Sequence, residues 1–272
     1  MNPPDPQPSP DSPPPYPPSP APSAPPEFSH YPGIPAPIRV ALTVVDPVPC
    51  SYLPGRTSVS RGLWASRIDD AAMEAFLDAG FRRSGHILYQ PVCPGCRACV
   101  PLRIDVAAFT PSPSQRRSSR RNADLEVSVA APVLSGEKLA LYDLYLRLQH
   151  DRAESPEKVD LESFLYSSPA TTIEIEYRLP NRELIGVGIC DITPGVLSSV
   201  YFYWHPDHHR RSLGVFSTLR ELDLARRLGC EWYHMGYWVA HSKTMDYKSR
   251  VGVHQLLHPD GGWRGAVSKP KD

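Results

Sequence analysis

Apolar and polar residues follow a helical rhythm in some stretches of this chain and a strand rhythm in others. Ile68, Ala72, Phe76 and Leu77 recur at helical spacing, with Asp69 or Asp70 placed to cap the start and Gly80 suited to stopping the helix. His86-Ile87-Leu88-Tyr89 and Leu102-Arg103-Ile104-Asp105-Val106 have the β-branched or alternating character of strands. The loop between them is therefore expected to join two strands at one end of a small sheet and to project rigidly. Ser114 is expected to cap a short helix, Leu125 to Val129 reads as a strand, and Leu139, Tyr142 and Leu146 mark the inner face of a longer helix. The first half is thus α+β.

The second half predicts strands at Thr171–Leu179, Glu183–Asp191 and Val196–Trp204, a helix over Ser212–Leu228 and a strand at Glu231–Met235. This order resembles the acetyltransferase-like (GNAT-like) fold, a mixed sheet with helices in which a strand feeding a helix creates a pocket lined by backbone N–H groups. Arg211-Ser212-Leu213-Gly214-Val215 occupies that turn and resembles the pyrophosphate loop of coenzyme A-dependent acetyltransferases. Phe216 stands where that loop has a small residue and is expected to crowd a pyrophosphate, so no nucleotide cofactor is expected.

Proline content sets the ends of the folded body. Of the 33 prolines, 17 precede residue 40, and residues 1–38 are expected to stay extended and disordered. The predicted divisions are this tail, an N-terminal Cys-cluster and arginine-rich region over 39–132, an acetyltransferase-like region over 133–265 and a C-terminal tail over 266–272. The formal net charge is zero; without Asp5, Asp11 and Glu27 of the tail, 29 basic side chains face 26 acidic ones. Clustering matters more than this balance. Arg116, Arg117, Arg120 and Arg121 lie within six residues, and Arg210, Arg211, Arg220, Arg226 and Arg227 share a second segment. No apolar run reaches the roughly 20 residues a bilayer requires, and the start lacks the pattern of a signal peptide. A cytoplasmic protein with no membrane partner is expected.

Half of the six cysteines fall in Cys93-Pro94-Gly95-Cys96-Arg97-Ala98-Cys99, and Cys50 stands upstream. Two overlapping C-x-x-C steps around a Pro-Gly turn allow thiolates to converge on one centre, with Cys50 as a fourth ligand to zinc or an iron–sulfur cluster. Thiolates alone do not choose between them, and free thiols or a redox role are the alternatives. Cys190 and Cys230 sit in or beside apolar segments and read as core.

Cys50-Ser51-Tyr52-Leu53-Pro54-Gly55-Arg56, Gly80 to Gly85, Cys93 to Pro101, Ser114 to Arg117 and Arg121 to Leu125 resemble the bacterial aspartate/glutamate leucyltransferases, relatives of arginyl-tRNA–protein transferase. Leu197 to Tyr203, Arg210 to Gly214, Gly236-Tyr237-Trp238, Ser242-Lys243 and Met245 to Lys248 continue the match in order, from about Ala41 to Trp263. The resemblance implies aminolysis: the α-amine of a protein beginning with Asp or Glu attacks the ester of leucyl-tRNA, creating a degradation signal. Arginine as the transferred residue, a coenzyme A-dependent acetyltransferase and a zinc-containing RNA-binding module are the alternatives.

Within that reading, Asp191 is the candidate for holding the attacking ammonium, although a buried hydrogen-bonded carboxylate is as ordinary a use for it. Lys243, Tyr247 and Lys248 are candidates for the ester carbonyl or the tRNA end. Arg56, Arg82, Arg97 and Arg103 are candidates for reading the acidic N-terminal residue, since a planar bidentate cation suits a carboxylate. Tyr201 and Tyr203 are expected to line the pocket against the terminal adenine, near Gly214. Arg116, Arg117, Arg120, Arg121, Arg210 and Arg211 are expected to contact tRNA phosphates, with His208 and His209 beside the last two. Two departures from the family pattern stand out: His205 replaces an acidic residue before Pro206, and Arg250 to His254 replaces an aromatic and proline pattern.

Overall fold

The computed structural model describes residues 38–150, 155–242 and 244–265. The two tails read from the sequence lie outside this range, apart from Ile38. The first region contains β1 (Thr43–Val44), β2 (Val48–Pro49), β3 (Thr57–Ser58), β4 (Ser60–Trp64), α1 (Asp70–Asp78), β5 (Arg82–Ser84), β6 (Ile87–Pro91), β7 (Val100–Asp105), α2 (Pro113–Arg121) and β8 (Glu126–Ala130). Strands β1, β4, β6 and β5 form a four-stranded sheet in the order 1-4-6-5, and β2 pairs with β3. Asp69 caps α1 by accepting from the Ala72 amide at 2.8 Å, and Gly80, at φ +84°, lets the chain turn away after it. Met73, Phe76 and Leu77 bury the inner face of α1 against Phe81 and Leu88.

The second region contains α3 (Gly136–His150), α4 (Lys158–Leu161), β9 (Thr172–Arg178), β10 (Leu184–Ile192), β11 (Val196–Trp204), α5 (Leu213–Leu228), β12 (Trp232–Trp238), β13 (Gln255–Leu257) and β14 (Trp263–Gly265). One eight-stranded sheet runs 14-13-7-12-11-10-9-8. The antiparallel meander, the helix and the parallel strand expected of an acetyltransferase-like sheet are all present. Its first and second faces are covered by α5 and by α3 with α4, and Tyr177 and Tyr203, each 0% exposed, anchor the two cores.

Two features differ from the sequence expectation. The cysteine loop joins β6 to β7, and these strands belong to different sheets, so the loop bridges the sheets instead of closing one end of a single small one. Strand pairing is a tertiary choice that periodicity does not encode: β7 inserts between β12 and β13. Helix α2 is capped by Ser112, not Ser114. Ser112-Pro113-Ser114-Gln115 is a capping box with proline at the first helical position, and the Gln115 side-chain oxygen accepts from the Ser112 amide at 2.7 Å.

The junction of β11 and β12 positions the site. The two strands pair in parallel only at Val196–Trp232, Leu197–Tyr233 and Ser198–His234. Immediately beyond, each carries an extra residue relative to its other neighbour: Val200 on β11 between the partners of Cys190 and Ile189, and Met235 on β12 between the partners of Arg103 and Leu102. Bulges bend a strand and increase its twist. Two of them at one level part the strands into a fork, and Gly236, at φ +81°, completes the second bend.

Candidate active site

Parting two strands strands their carbonyls, which must find other donors. Arg82 of β5 reaches into the fork, donating to the Ser199 carbonyl and to Ser198 Oγ at 2.9 Å, with its guanidinium against Gly236. From the short helical turn Asp246–Arg250, Lys248 donates to the Met235 carbonyl at 2.7 Å. The Lys248 ammonium end is enclosed although the residue is only partly buried. Burial first, and then the charge of Arg82, push its pKa down to about 7, against an upward pull from Glu221. Below the fork, Glu221 of α5 is 1% exposed and accepts from Tyr233 at 2.6 Å and Ser217 at 2.8 Å.

Tyr247 stands beside Lys248, partly exposed; burial raises its pKa, with smaller contributions from Glu221 and Tyr145. Tyr145 of α3 packs edge-on to Tyr201 at 6.4 Å and also contacts Trp204 at 6.3 Å, wrapping the edge of β11 that β12 leaves open. The aromatics of β11 divide differently from the expectation. Tyr203 is fully buried and its hydroxyl pairs with that of Tyr166 at 2.8 Å, which removes it from any substrate surface. Tyr201, between Tyr142, Tyr145 and Phe164, stays near the open edge. Lys243 lies outside the described residues.

Asp191 is placed with the fold and not with the fork. One oxygen receives Arg83 Nε at 2.7 Å and the other Thr172 Oγ1 at 2.7 Å, with Arg83 and Asp191 side chains 0% and 2% exposed. A carboxylate so committed has no oxygen to offer an attacking amine. Of the four arginines considered for the acidic acceptor, Arg82 is buried in the fork. Arg103 is sandwiched over Trp232 at 3.7 Å and Trp263 at 4.4 Å while bonded to Asp78 and Gln255. Arg97 is exposed on the cysteine loop. Arg56 is exposed, lines a cavity and has no ion-pair partner among the described residues.

That cavity, about 180 Å³, is lined by Cys50, Cys93, Cys96 and Cys99 together with Tyr52, Tyr89 and Tyr237. All six cysteines are free thiols, and Cys190 and Cys230 are core residues as expected. Burial, and then the neighbouring Cys93, Cys50 and Cys96, push the Cys99 thiol up to about 12. Among the described residues no group of three or more His, Cys, Asp or Glu side chains is close enough to hold a metal ion. The donor set, four cysteines lining one cavity, is of the chemical kind that holds a thiolate-bound centre, although these side chains are not gathered around one point.

The two basic segments that the sequence separated form one surface. Arg116, Arg117, Arg120 and Arg121 are exposed on α2, while Gln115, Ser118 and Asn122 face inward. Arg121 donates to the Arg210 carbonyl at 2.5 Å, Asn122 to the Arg211 carbonyl at 2.9 Å, and Arg211 pairs with both Asp124 oxygens at 2.9 Å. This locks α2 to the short turn Pro206–Arg211 ahead of α5. Arg226 is a structural residue, donating to the Val106 and Phe109 carbonyls. At the start of α5, Ser212 has φ +55° and no side chain caps the helix, and the Gly214 α-carbon faces open space. Phe216 does not crowd this turn; it is 4% exposed and packs inward on Tyr177. His205 caps the Pro206 turn by accepting from the Asp207 amide at 3.3 Å.

Sequence reading passed over Glu221, Ser198 and Tyr145. Only Glu221 left a signal, as a carboxylate four residues after Ser217 on the apolar face of α5.

An amine held near neutrality where two parallel strands part is suited to taking a proton from an attacking amine. With the meander, helix and strand order, it places the chain among acyl-transferring enzymes of acetyltransferase-like fold. Residues 48–117 match the family described as "Arginine-tRNA-protein transferase, N terminus" and residues 137–258 the family described as "Arginine-tRNA-protein transferase, C terminus". The "Aspartate/glutamate leucyltransferase" of Halorhodospira halophila is 40% identical over 220 residues, covering 79% of this chain and 92% of that protein. The protein of the same name from Pseudomonas putida (strain W619) is 38% identical over 222 residues, covering 80% and 94%. The chain belongs to the aspartate/glutamate leucyltransferases of the arginyl-tRNA–protein transferase family. Among solved structures, FemX aligns with a TM-score of 0.42 at 7% identity, covering 69% of this chain and 65% of that one. A tandem GNAT protein from the clavulanic acid biosynthesis pathway aligns with a TM-score of 0.40 at 11% identity, covering 78% and 65%. No described helix is long and apolar enough to cross a membrane.

Proposed function

We propose that the fork between β11 and β12 transfers leucine from leucyl-tRNA to the α-amine of proteins beginning with Asp or Glu, marking them for N-end rule degradation. The observation that carries this reading is the Lys248 amine, bonded to the Met235 carbonyl at the fork and held near neutrality, in a chain of this family. The acceptor enters as an ammonium, with a free pKa of about 8. Lys248 Nζ takes one proton, and the neutral nitrogen attacks the ester carbonyl carbon. Arg82, fixed by Ser198 and Ser199, faces the oxyanion that develops. Collapse breaks the bond to the ribose oxygen, which leaves with the proton from Lys248, and the attacking nitrogen releases its second excess proton to solvent. The products are a peptide bond and a free tRNA end, and the already activated ester needs no ATP.

Arg117, Arg120 and Arg210 have no ion-pair partners among the described residues, which supports the joined α2 and Pro206–Arg211 surface as the site for tRNA phosphates. Arg56, at the rim of the cysteine cavity with its charge unpaired, is assigned to the acceptor's acidic side chain. Cys50, Cys93, Cys96 and Cys99 would hold zinc or an iron–sulfur cluster, which would cross-link the loop between the two sheets and has no part in the transfer steps. A competition experiment tests the donor assignment: leucyl-tRNA and arginyl-tRNA, each carrying a labelled amino acid, supplied together to a peptide beginning with Asp. Incorporation of leucine is expected, and incorporation of arginine instead overturns the choice of donor.

A further inference from the structure

A second cavity, about 230 Å³, opens on the α5 face of the eight-stranded sheet, at its β8 edge. Val127 and Val129 of β8, Ile175 of β9 and Leu224 of α5 line it with apolar groups, while Arg220, Asp223 and Arg227 of α5 supply its charges. Val129 is 46% exposed although Ile175, its pair on β9, is 1% exposed, so the apolar floor runs from the core out to solvent. Two guanidiniums share one carboxylate, and loosely: Asp223 Oδ2 lies 3.9 Å from Arg220 Nη1 and 3.4 Å from Arg227 Nη2. Arg220 Nε is buried and donates to no acceptor among the described residues. A net positive cavity with an unused N–H donor and an apolar floor suits an anion that carries a flat apolar body.

Both walls of the cavity start from one point of the basic surface. Arg211 pairs with Asp124; α5 begins two residues after Arg211, and β8 begins two residues after Asp124. At the usual helix and strand rise, Arg220 lies about 13 Å and Val129 about 16 Å along the chain from that pair, so the two walls reach the cavity together. Helix α2, with its exposed arginines, packs on α5 beside them. We propose that the cavity takes one unpaired nucleotide of the bound tRNA, its phosphate on Arg220 and Arg227 and its base against Val127, Val129 and Leu224. This rests on the reading of the joined α2 and Pro206–Arg211 surface as the tRNA site. Unstacked RNA bases are held in this manner, between an apolar surface and guanidinium planes. Continuity with arginines that lack carboxylate partners favours a polyanion over a short acidic peptide. The phosphate contacts set the register of the strand, and the base is what the cavity can select.

The experiment is equilibrium binding of a deacylated leucine-accepting tRNA to the full-length protein at several salt concentrations. Val129→Met extends a neutral apolar side chain into the cavity, and the affinity is expected to fall about tenfold with the salt slope unchanged, because a base contact is lost and no charge is. Arg220→Gln is expected to weaken binding and to reduce the slope of log affinity against log salt by about one. Wild-type tRNA affinity in either variant that melts cooperatively overturns the proposal. So does a raised KM for a protein acceptor with tRNA affinity intact, which would give the cavity to a peptide. The reading beneath it is judged separately: unchanged tRNA affinity in Arg117→Gln, Arg120→Gln and Arg210→Gln removes the α2 surface from tRNA binding, whatever Val129→Met returns.

Discussion

Lys248 donates to the Met235 carbonyl at 2.7 Å, at the bulge where β12 leaves β11. The bond ties an enclosed amine to the place where β11 and β12 part. Because burial and Arg82 hold the lysine pKa at about 7, the unprotonated base gains population as pH rises through that value. The rate of leucyl transfer at saturating tRNA is therefore expected to rise through about pH 7. Lys248→Met should lose this limb and roughly 100-fold in kcat. A pH–rate profile of the two proteins checks both.

Asp191 and Arg83 should matter to folding before chemistry. Their side chains are buried on both sides of a 2.7 Å contact, so removing one charge leaves the other uncompensated. Asp191→Asn is expected to cost about 3–5 kcal/mol of stability. Denaturant unfolding measures this, and the protein that remains folded at low temperature should transfer leucine at close to the normal kcat.

Arg117→Gln, Arg120→Gln and Arg210→Gln act on the tRNA and not on the acceptor. Each is expected to weaken tRNA binding and reduce the slope of log affinity against log salt by about one. Titrations at several salt concentrations check this, and the KM for the peptide should not move.

Arg56→Ala addresses the acceptor alone. The KM for peptides beginning with Asp or Glu is expected to rise about tenfold or more, corresponding to about 1.5–3 kcal/mol for a lost charge-assisted hydrogen bond. The affinity for leucyl-tRNA, measured in parallel, should stay constant.

Metal analysis of protein prepared without oxygen tests the cysteine cavity. About one zinc ion or one cluster per chain is expected, the latter visible as brown colour, and serine at Cys50, Cys93, Cys96 and Cys99 should abolish it.

The features legible in the sequence are those whose causes are local. Helix α1 was readable because Asp69 and Gly80 bracket an apolar spacing, and α5 because its inward positions repeat over four turns. The fork was not readable, since it arises from Val200 and Met235, two residues that become extra only when β10 and β7 pair beside them. Asp191 misled for the same reason: its partner Arg83 lies 108 residues away. Likewise, nothing local reveals that Arg121 and Arg210 meet, which merges two charge clusters into one surface. Lys248 was legible as a candidate from family position, while its enclosure and the charge of Arg82 acting on it needed the folded chain.

The most direct test is mass spectrometry of two peptides, one beginning with Asp and one with Ala, after incubation with leucyl-tRNA and either the wild-type chain or Lys248→Met. The expected result is one added leucyl residue on the Asp peptide alone, formed by wild type and about 100-fold more slowly by the variant. Equal addition to both peptides, or wild-type rates from Lys248→Met, would contradict the account.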